Sequence, residues 1–472
     1  MKKLITLLLS VMLAFATCLG LVACNGDGDG DGDAGQTIDG KMPAYVSSSF
    51  SRFDNVEIDS NFKLGVICLH DQNSTYDQNF LEAVEKARVA MKLSQEQVII
   101  KTMIGEDESC TAAAEALVSQ GCQAIFANSF GHEDYLKVAA AEHPEVQFYH
   151  ATGTQSQTLG LNNFHNAFAT IFEGRYLAGV AAGLKLQAMV EAGEIKANNK
   201  DAAGNIKLGY IGAHPYAEVI SGYTSWFLGV RSIVPNVVMD VQYTFTWYDE
   251  TLEMNAANAL IERGCALISQ HADSWGAPNA CEEAGVPNVS YNGSTIDECP
   301  ETFIISSKID WTYYFKWIIA SVGGDAEDVA TDFAGTIGEG LMVVLTDANP
   351  NVITENTIST LVSVRNELVA GTRKVFDCSK FTVTVDQNKK DAFGGVINGC
   401  ATVDGSVQNT ETVKQGHLTA YLADVIPDEF FTGDTNVVKT DANGVTYFAE
   451  SASEFRSAPF FNIIIDGITP LN

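Results

Sequence analysis

Across 472 residues the chain carries 59 Asp and Glu against 28 Lys and Arg, a formal charge of −31, with 46% hydrophobic residues. So acidic a surface repels nucleic acid and anionic headgroups, and it disfavours phosphorylated ligands wherever no local basic pocket compensates. The length is too great for one hydrophobic core and implies two lobes or more, which 25 Phe help to fill.

Met1, Lys2 and Lys3 form a short basic head before an apolar stretch from Leu4 to Gly20. That length suits the apolar part of a secretory signal better than a membrane span of about 20 residues with its flanks. Leu21-Val22-Ala23-Cys24 resembles a bacterial lipobox, in which cleavage leaves the cysteine first in the chain and carrying lipid. Residues 1–23 are therefore expected to be a lipoprotein signal peptide and Cys24 the lipidated residue. The protein would then be exported and held at the outer face of the cytoplasmic membrane. Loss of Lys2 and Lys3 with the signal takes the charge from −31 to −33. Asp27, Asp29, Asp31 and Gly32 begin like a calcium loop, but its twelfth position is Ile38 instead of Glu. Gly for flexibility and Asp for solvation describe a tether, assigned to residues 24–60 together with the lipidated cysteine.

From Lys63 onward short apolar runs alternate with helical patterns. Strand-like runs include VICL, VIIKTM, AIFANS and VQFYHAT, separated by helical patterns near 77–92, 110–120 and 133–143. Residues 165–190 read as one longer helix, whose small residues permit close packing. The pattern then begins again. Lys63-Leu64-Gly65-Val66-Ile67 returns as Lys207-Leu208-Gly209-Tyr210-Ile211, and Gly121-Cys122 returns as Gly264-Cys265, at nearly one spacing. In the second half LGYIGA, MDVQYTFTW, ALISQHA and NVSYN alternate with helices near 216–233, 250–263 and 275–285. This is an α/β chain of two doubly wound parallel sheets. Residues 61–163 would make lobe 1, with a return segment at roughly 310–345. Residues 164–309 would make the crossover helix and lobe 2, and 346–376 the last helix and strand of the core. Gly121 and Gly264 fit helix C-caps. Open sheets of this kind bind ligands outside the carboxyl ends of their strands, here at 70–79, 128–135, 213–217, 247–249, 270–276 and 291–294.

Catalytic motifs fail in turn. There is no G-x-S-x-G elbow and no phosphate loop, and His132-Glu133 begins an H-E-x-x-H whose fifth position is Leu136. His70-Asp71 and His271-x-Asp273 read better as hydrogen-bonded loop residues than as metal ligands, so neither metal nor cofactor is expected. These absences favour a binding protein over an enzyme. The strand-end loops hold rings beside polar groups: Tyr76 with Asn73 and Asp77, Phe130 with Asp134, His214 with Tyr216, and Asn292. A pocket that stacks a flat ring and hydrogen-bonds its edges needs this mixture. Trp247 reads better as a strand end, with Asp249 capping the next helix.

FANSFGHEDYLKVAAAEHPEVQFYHATG, FEGRYLAGVAAG, LGYIGAHPYAEVISGY and LISQHADS together resemble the basic membrane protein family, the substrate-binding lipoproteins of nucleoside importers. The resemblance runs from about Lys63 to Phe376. It implies a two-lobed type I periplasmic-binding-protein fold with a hinge, an ABC importer permease as partner and a purine nucleoside as ligand. It also carries ligand residues over. Tyr76 keeps the ring that stacks on the base, Asp77 stands where the family has an amide, and Asp134 matches its acid after the third strand. Asn292 replaces its ribose-binding acid, which weakens the bond by removing charge assistance. Lys308 lies near its ribose-reaching lysine, and Asp273 sits in a loop that approaches the ligand. The expected ligand set is thus Asn73, Tyr76, Asp77, Phe130, Asp134, Tyr216, Asp273, Asn292 and Lys308, in a monomer that meets no nucleic acid. The alternatives are a sensor or receptor for another small neutral metabolite on the same fold, and a nucleoside hydrolase using Asp134 or Asp273.

Residues 377–472 form a C-terminal extension with a β-rich pattern. FTVTVDQ, VTYFAE and FFNIIID look like strands, and the segment 455–467 is apolar enough to be buried, either on one lobe or as an arm near the cleft. Eight cysteines remain after Cys18 and Cys24, scattered and without C-x-x-C spacing, so most are expected to be buried thiols.

Overall fold

The structure is a computed structural model that describes residues 38–45, 51–338, 342–383, 438–449, 457–459, 461 and 463–472. The signal, Cys24 and the acidic tether up to Thr37 lie outside the described residues, as does Cys400.

Five strands open the chain: β1 Leu64–Ile67, β2 Val98–Lys101, β3 Ala124–Ala127, β4 Gln147–Ala151 and β5 Phe164–Ala169. Between them run α1 Thr75–Ala90, α2 Glu108–Ser119 and α3 Glu133–Glu142. Local chemistry sets these ends. The Ser74 hydroxyl caps α1 by accepting from the Asp77 N–H, and Asp107 caps α2 in the same way. Gly121, at φ 83°, turns the chain out of α2 into β3, a conformation that costs glycine little.

Helix α4, Ile171–Glu191, leads to β6 Ile206–Gly212, α5 Ala217–Ile233, β7 Val237–Tyr243, α6 Glu250–Glu262 and β8 Ile268–His271. Then come α7 Gly276–Ala284, β9 Asn288–Tyr291, β10 Phe303–Ile309 and α8 Thr312–Gly323. The chain continues through β11 Asp332–Gly335, β12 Val343–Leu345 and α9 Thr357–Val369. Gly264, at φ 86°, ends α6 as Gly121 ends α2. Helices α4 and α5 touch backbone to backbone. A Cβ on Gly179 would meet the Trp226 carbonyl, and one on Gly229 would meet that of Tyr176.

The first sheet has the order β11-β5-β4-β3-β1-β2 and is parallel throughout. The second has the order β12-β10-β9-β8-β6-β7-β15, with β15 being Ile468–Pro470, and only the β10–β12 pair is antiparallel. Among the described residues, three connections between successive strands join the sheets: β5 into α4, β10 into α8 (which packs on α1), and β11 into β12. The last part of the segment 310–345 therefore leaves the first sheet, because β12 pairs with β10.

Two local readings are corrected. Residues 165–190 are not one helix, since Phe164–Ala169 form a fully buried strand between β4 and β11. Its neighbour β11 arrives about 160 residues later, so no local pattern announces it. In the extension, Val438–Thr440 (β13) and Thr446–Phe448 (β14) pair as a hairpin, but Phe381–Val383 and the described part of FFNIIID form no strand. Phe461, Ile463 and Ile465 are buried without ladder partners, and the free edge of β7 is taken by β15 instead. The seven cysteines among the described residues are buried free thiols.

Candidate ligand-binding site

Between the carboxyl ends of the two sheets lies a cavity of about 240 Å³. The first lobe contributes His70 after β1, Tyr76 and Asp77 from α1, Phe130 after β3, and Thr152 and Thr154 after β4. The second contributes Tyr216 and Glu218 at the start of α5, Trp247 after β7, His271 and Asp273 from β8 and its loop, and Tyr291 at the end of β9.

The aromatic groups are held in place. The Tyr76 hydroxyl donates to the Asn128 carbonyl at 2.7 Å, and its ring meets Phe80 edge-on with centroids 4.9 Å apart. Phe130 of one lobe faces Tyr216 of the other at 5.5 Å. Tyr216 stacks on His214 at 5.0 Å, and Trp247 meets His214 edge-on at 4.9 Å.

Three carboxylates face the same space. Asp77, 1% exposed, accepts from the His70 N–H at 3.0 Å and from the Asn128 side-chain amide at 2.7 Å. Glu218 lies 2.7 Å from the His271 ring nitrogen. Burial lowers the His271 pKa, with Glu218 opposing. Asp273 is driven well above the ordinary carboxylate range by burial first, and then by Glu253, Asp77 and Glu218; Arg175 opposes that rise. Arg175 sits behind this group, fully buried, with its guanidinium 3.5 Å from the Tyr291 ring centre and donating to the Gln270 carbonyl at 2.8 Å. The chamber thus offers acceptors and neutral rings, with its cation set back from the lining.

Direct bonds between the lobes stand beside the cavity. The backbone N–H and hydroxyl of Thr75 donate to the Asp273 carbonyl at 3.0 and 3.2 Å, and the Asn79 amide donates to Asn292 Oδ1 at 2.9 Å.

Of the expected ligand residues, Tyr76, Asp77, Phe130, Tyr216 and Asp273 are brought together in the lining. Four are not. Asn73 is solvent-exposed, with its N–H bonded to Asp71. Asp134 turns outward on α3 to pair with Lys137 and Gln155, because the 3-10 turn Phe130–His132 sets a phase in which Glu133 turns inward. Buried Glu133 instead accepts the N–H groups of Thr154 and Gln155, fixing the loop after β4. Asn292 is buried outside the lining, its Oδ1 accepting from Asn79 and its Nδ2 without a partner. Side chains alternate along a strand, so Ile309 lines the cavity while Lys308 pairs with Glu82 at 3.5 Å. Sequence reasoning passed over Glu218, Trp247, His271 and Tyr291 as ligand residues, and Arg175 behind them. The signals lay in LGYIGAHPYAEVISGY and FEGRYLAG, which hold Glu218 and Arg175.

Glu253 backs Asp273. Fully buried, it accepts from the N–H groups of Asp249 and Ser274, and burial raises its pKa to about 7. A carboxyl raised in the fold binds its proton more tightly there than in the unfolded chain. Stability is therefore fully present below the unfolded value and falls as pH rises through 7, by about 3 kcal/mol. Glu253→Gln is expected to flatten that decline in urea midpoints measured from pH 5 to 8; an unchanged slope would assign it to other groups.

Donor atoms of Glu115, Glu142 and His143 lie within 4.8 Å of one another, but none of these residues lines the cavity and His143 is already paired with Glu115 and Glu145.

Two α/β lobes, three connecting crossings and a chamber at facing strand ends define a periplasmic-binding-protein-like fold. A solute-binding protein of an ABC transporter system from Aeropyrum pernix K1 shares it, with a TM-score of 0.54 at 14% identity over 67% of this chain and 93% of that one. The chain belongs to the family described as ABC transporter substrate-binding protein PnrA-like, matched over residues 65–377. A candidate ABC transporter glucose-binding protein of Haloferax volcanii is 32% identical over 231 residues, 49% of this chain and 53% of the relative. A purine-binding protein of Brucella abortus is 30% identical over 212 residues, 45% of this chain and 55% of the relative. The chain thus spans about half the length of these curated relatives. No helix among the described residues is long and apolar enough to cross a membrane.

Proposed function

We propose that this protein is the extracytoplasmic substrate-binding component of an ABC importer, closing its two lobes on a purine nucleoside and presenting it to a permease. The observation that carries this reading is the lining itself, in which Tyr76, Phe130, Tyr216 and Trp247 surround space shared with the carboxyl groups of Asp77, Glu218 and Asp273. A nucleoside supplies what such a lining asks for: a flat ring, edge N–H groups and sugar hydroxyls, with no net charge. A nucleotide would bring phosphate against three acids. Family membership and the purine-binding relative support the same ligand class. In this reading the protein is a monomer, Cys24 carries lipid, and residues 24–60 let the receptor reach its permease. Ligand binding favours the closed form through contacts made to both lobes at once.

The glucose-binding relative supports a second reading, a sugar receptor on the same fold. Calorimetry separates the two. Residues 37–472, unfolded and refolded to strip ligand, are titrated with inosine, guanosine, adenosine, cytidine, ribose and glucose. Micromolar or tighter binding of purine nucleosides, with ribose silent, is the expected result. Silence from every nucleoside overturns the ligand, and heat from glucose alone replaces it.

A further inference from the structure

Part of the extension beyond the family match reaches the chamber. Ala458 and Pro459 line the cavity beside Phe168, although the family match ends at residue 377. They are held there from both lobes. Ser457 donates from its N–H to Asp332 Oδ2 at 2.7 Å and from its hydroxyl to Asp332 Oδ1 at 2.6 Å. The Asn166 amide, one strand over, donates to the Ser457 hydroxyl at 3.1 Å and to Asp332 at 3.0 Å. Ten residues on, the same segment is bolted to the second sheet: Met239 donates to the Gly467 carbonyl and Leu471 to that of Val241, both at 2.8 Å. Phe461, between the two anchors, stacks on Phe376 at 4.4 Å. Pro459 also packs near Thr170 and Ile171, where the chain first crosses between the lobes.

We propose that Ser457–Pro459 form the hinge-side end wall of the ligand chamber, making Ala458 a specificity-determining residue that limits ligand length. Its application to nucleosides rests on the function proposed above; the wall itself does not. Ala458 and Pro459 border the cavity and Ala458 is 2% exposed, so a ligand extended toward the hinge meets a tightly packed wall at this end. Behind the wall stands the Asp332 carboxylate, which accepts from Ser457 and Asn166 and so holds the wall in place. A nucleoside bearing a phosphate on its hinge-facing end is therefore excluded by length.

The test starts from the parent protein and whichever of inosine, guanosine, adenosine and glucose binds it. Ala458→Leu is expected to weaken that probe at least tenfold, whereas exposed Asn73→Ala stays within twofold. Equal affinity in a folded Ala458→Leu overturns the wall. If no probe binds the parent, the proposed function falls alone, and the wall is judged without a ligand; the same measurement serves if Ala458→Leu fails to fold. With Cys24 and Cys400 changed to serine, the thiol of Ala458→Cys, which borders the cavity as none of the seven described native thiols does, should react with a small methanethiosulfonate faster than they do. A rate no faster than theirs overturns the assignment.

Discussion

Arg175→Met is expected to lower the free energy of unfolding by about 3–5 kcal/mol, the range for removing one partner of a buried charge arrangement. The guanidinium is fully buried, stacks 3.5 Å from the Tyr291 ring centre and opposes the upward drive on Asp273. Two effects compete. Its Nε and Nη2 atoms are buried with no hydrogen-bond partner, so removing them relieves a cost of about 1–3 kcal/mol per group. Against this, the variant leaves Asp273 without the cation that opposes its rise and forfeits the stacking on Tyr291. Stacking on the ring face already offers these nitrogens part of what a hydrogen bond would, so the loss prevails. The sign of the pH dependence follows. Without Arg175 the Asp273 carboxyl is driven higher still, and the penalty for holding it ionised is relieved as pH falls. Urea denaturation should therefore show a larger deficit at pH 8 than at pH 5. A deficit under about 1 kcal/mol at both would show that the unpartnered nitrogens cancel the gain. Arg175→Lys should rescue little, because an ammonium cannot reproduce the planar stack.

Tyr76→Ala should weaken a purine nucleoside by about 2 kcal/mol, roughly thirtyfold, within the range for losing one base–aromatic stack. Glucose, with no flat π face, should lose much less. The ring lines the chamber from the first turn of α1, and its hydroxyl is tied to the Asn128 carbonyl on the loop after β3. Tyr76→Phe keeps the ring and gives up only that bond, about 1 kcal/mol of stability. It should bind nucleoside within a few fold of the parent. Calorimetry on both variants reads the ligand class directly: a thirtyfold loss in Tyr76→Ala that Tyr76→Phe does not share marks a stacked base. Similar small losses for nucleoside and sugar would remove Tyr76 from base recognition.

How much of the site could be read in advance differs residue by residue, and the difference is physical. Tyr76 and Asp77 were legible because Ser74 caps α1 and the first turn of a helix after a parallel strand faces the chamber. Tyr216 was legible for the same reason at α5. Asp134 was not, since a single 3-10 turn decides whether it or Glu133 faces inward. Lys308 and Ile309 differ by one strand position, and one position exchanges faces. Trp247 was taken for a strand end with Asp249 as a cap. Only the cap holds: Asp249 caps α6, but β7 ends at Tyr243, and Trp247 lies in the loop beyond it as a chamber wall whose ring meets His214.

By itself the sequence determined the alternation of strands and helices, the internal repeat, the helix caps and the strand-end loops. All of these rest on side-chain periodicity and on contacts between residues a few positions apart. Tertiary structure alone decided the rest. Strand β5 exists because β11 lies beside it, the Asn292 Oδ1 accepts from Asn79 across the lobes, and Ser457 reaches the chamber through Asp332, 125 positions away. Such pairings are chosen by burial and by the need to satisfy buried polar groups, and neither is set until the distant parts of the chain have met.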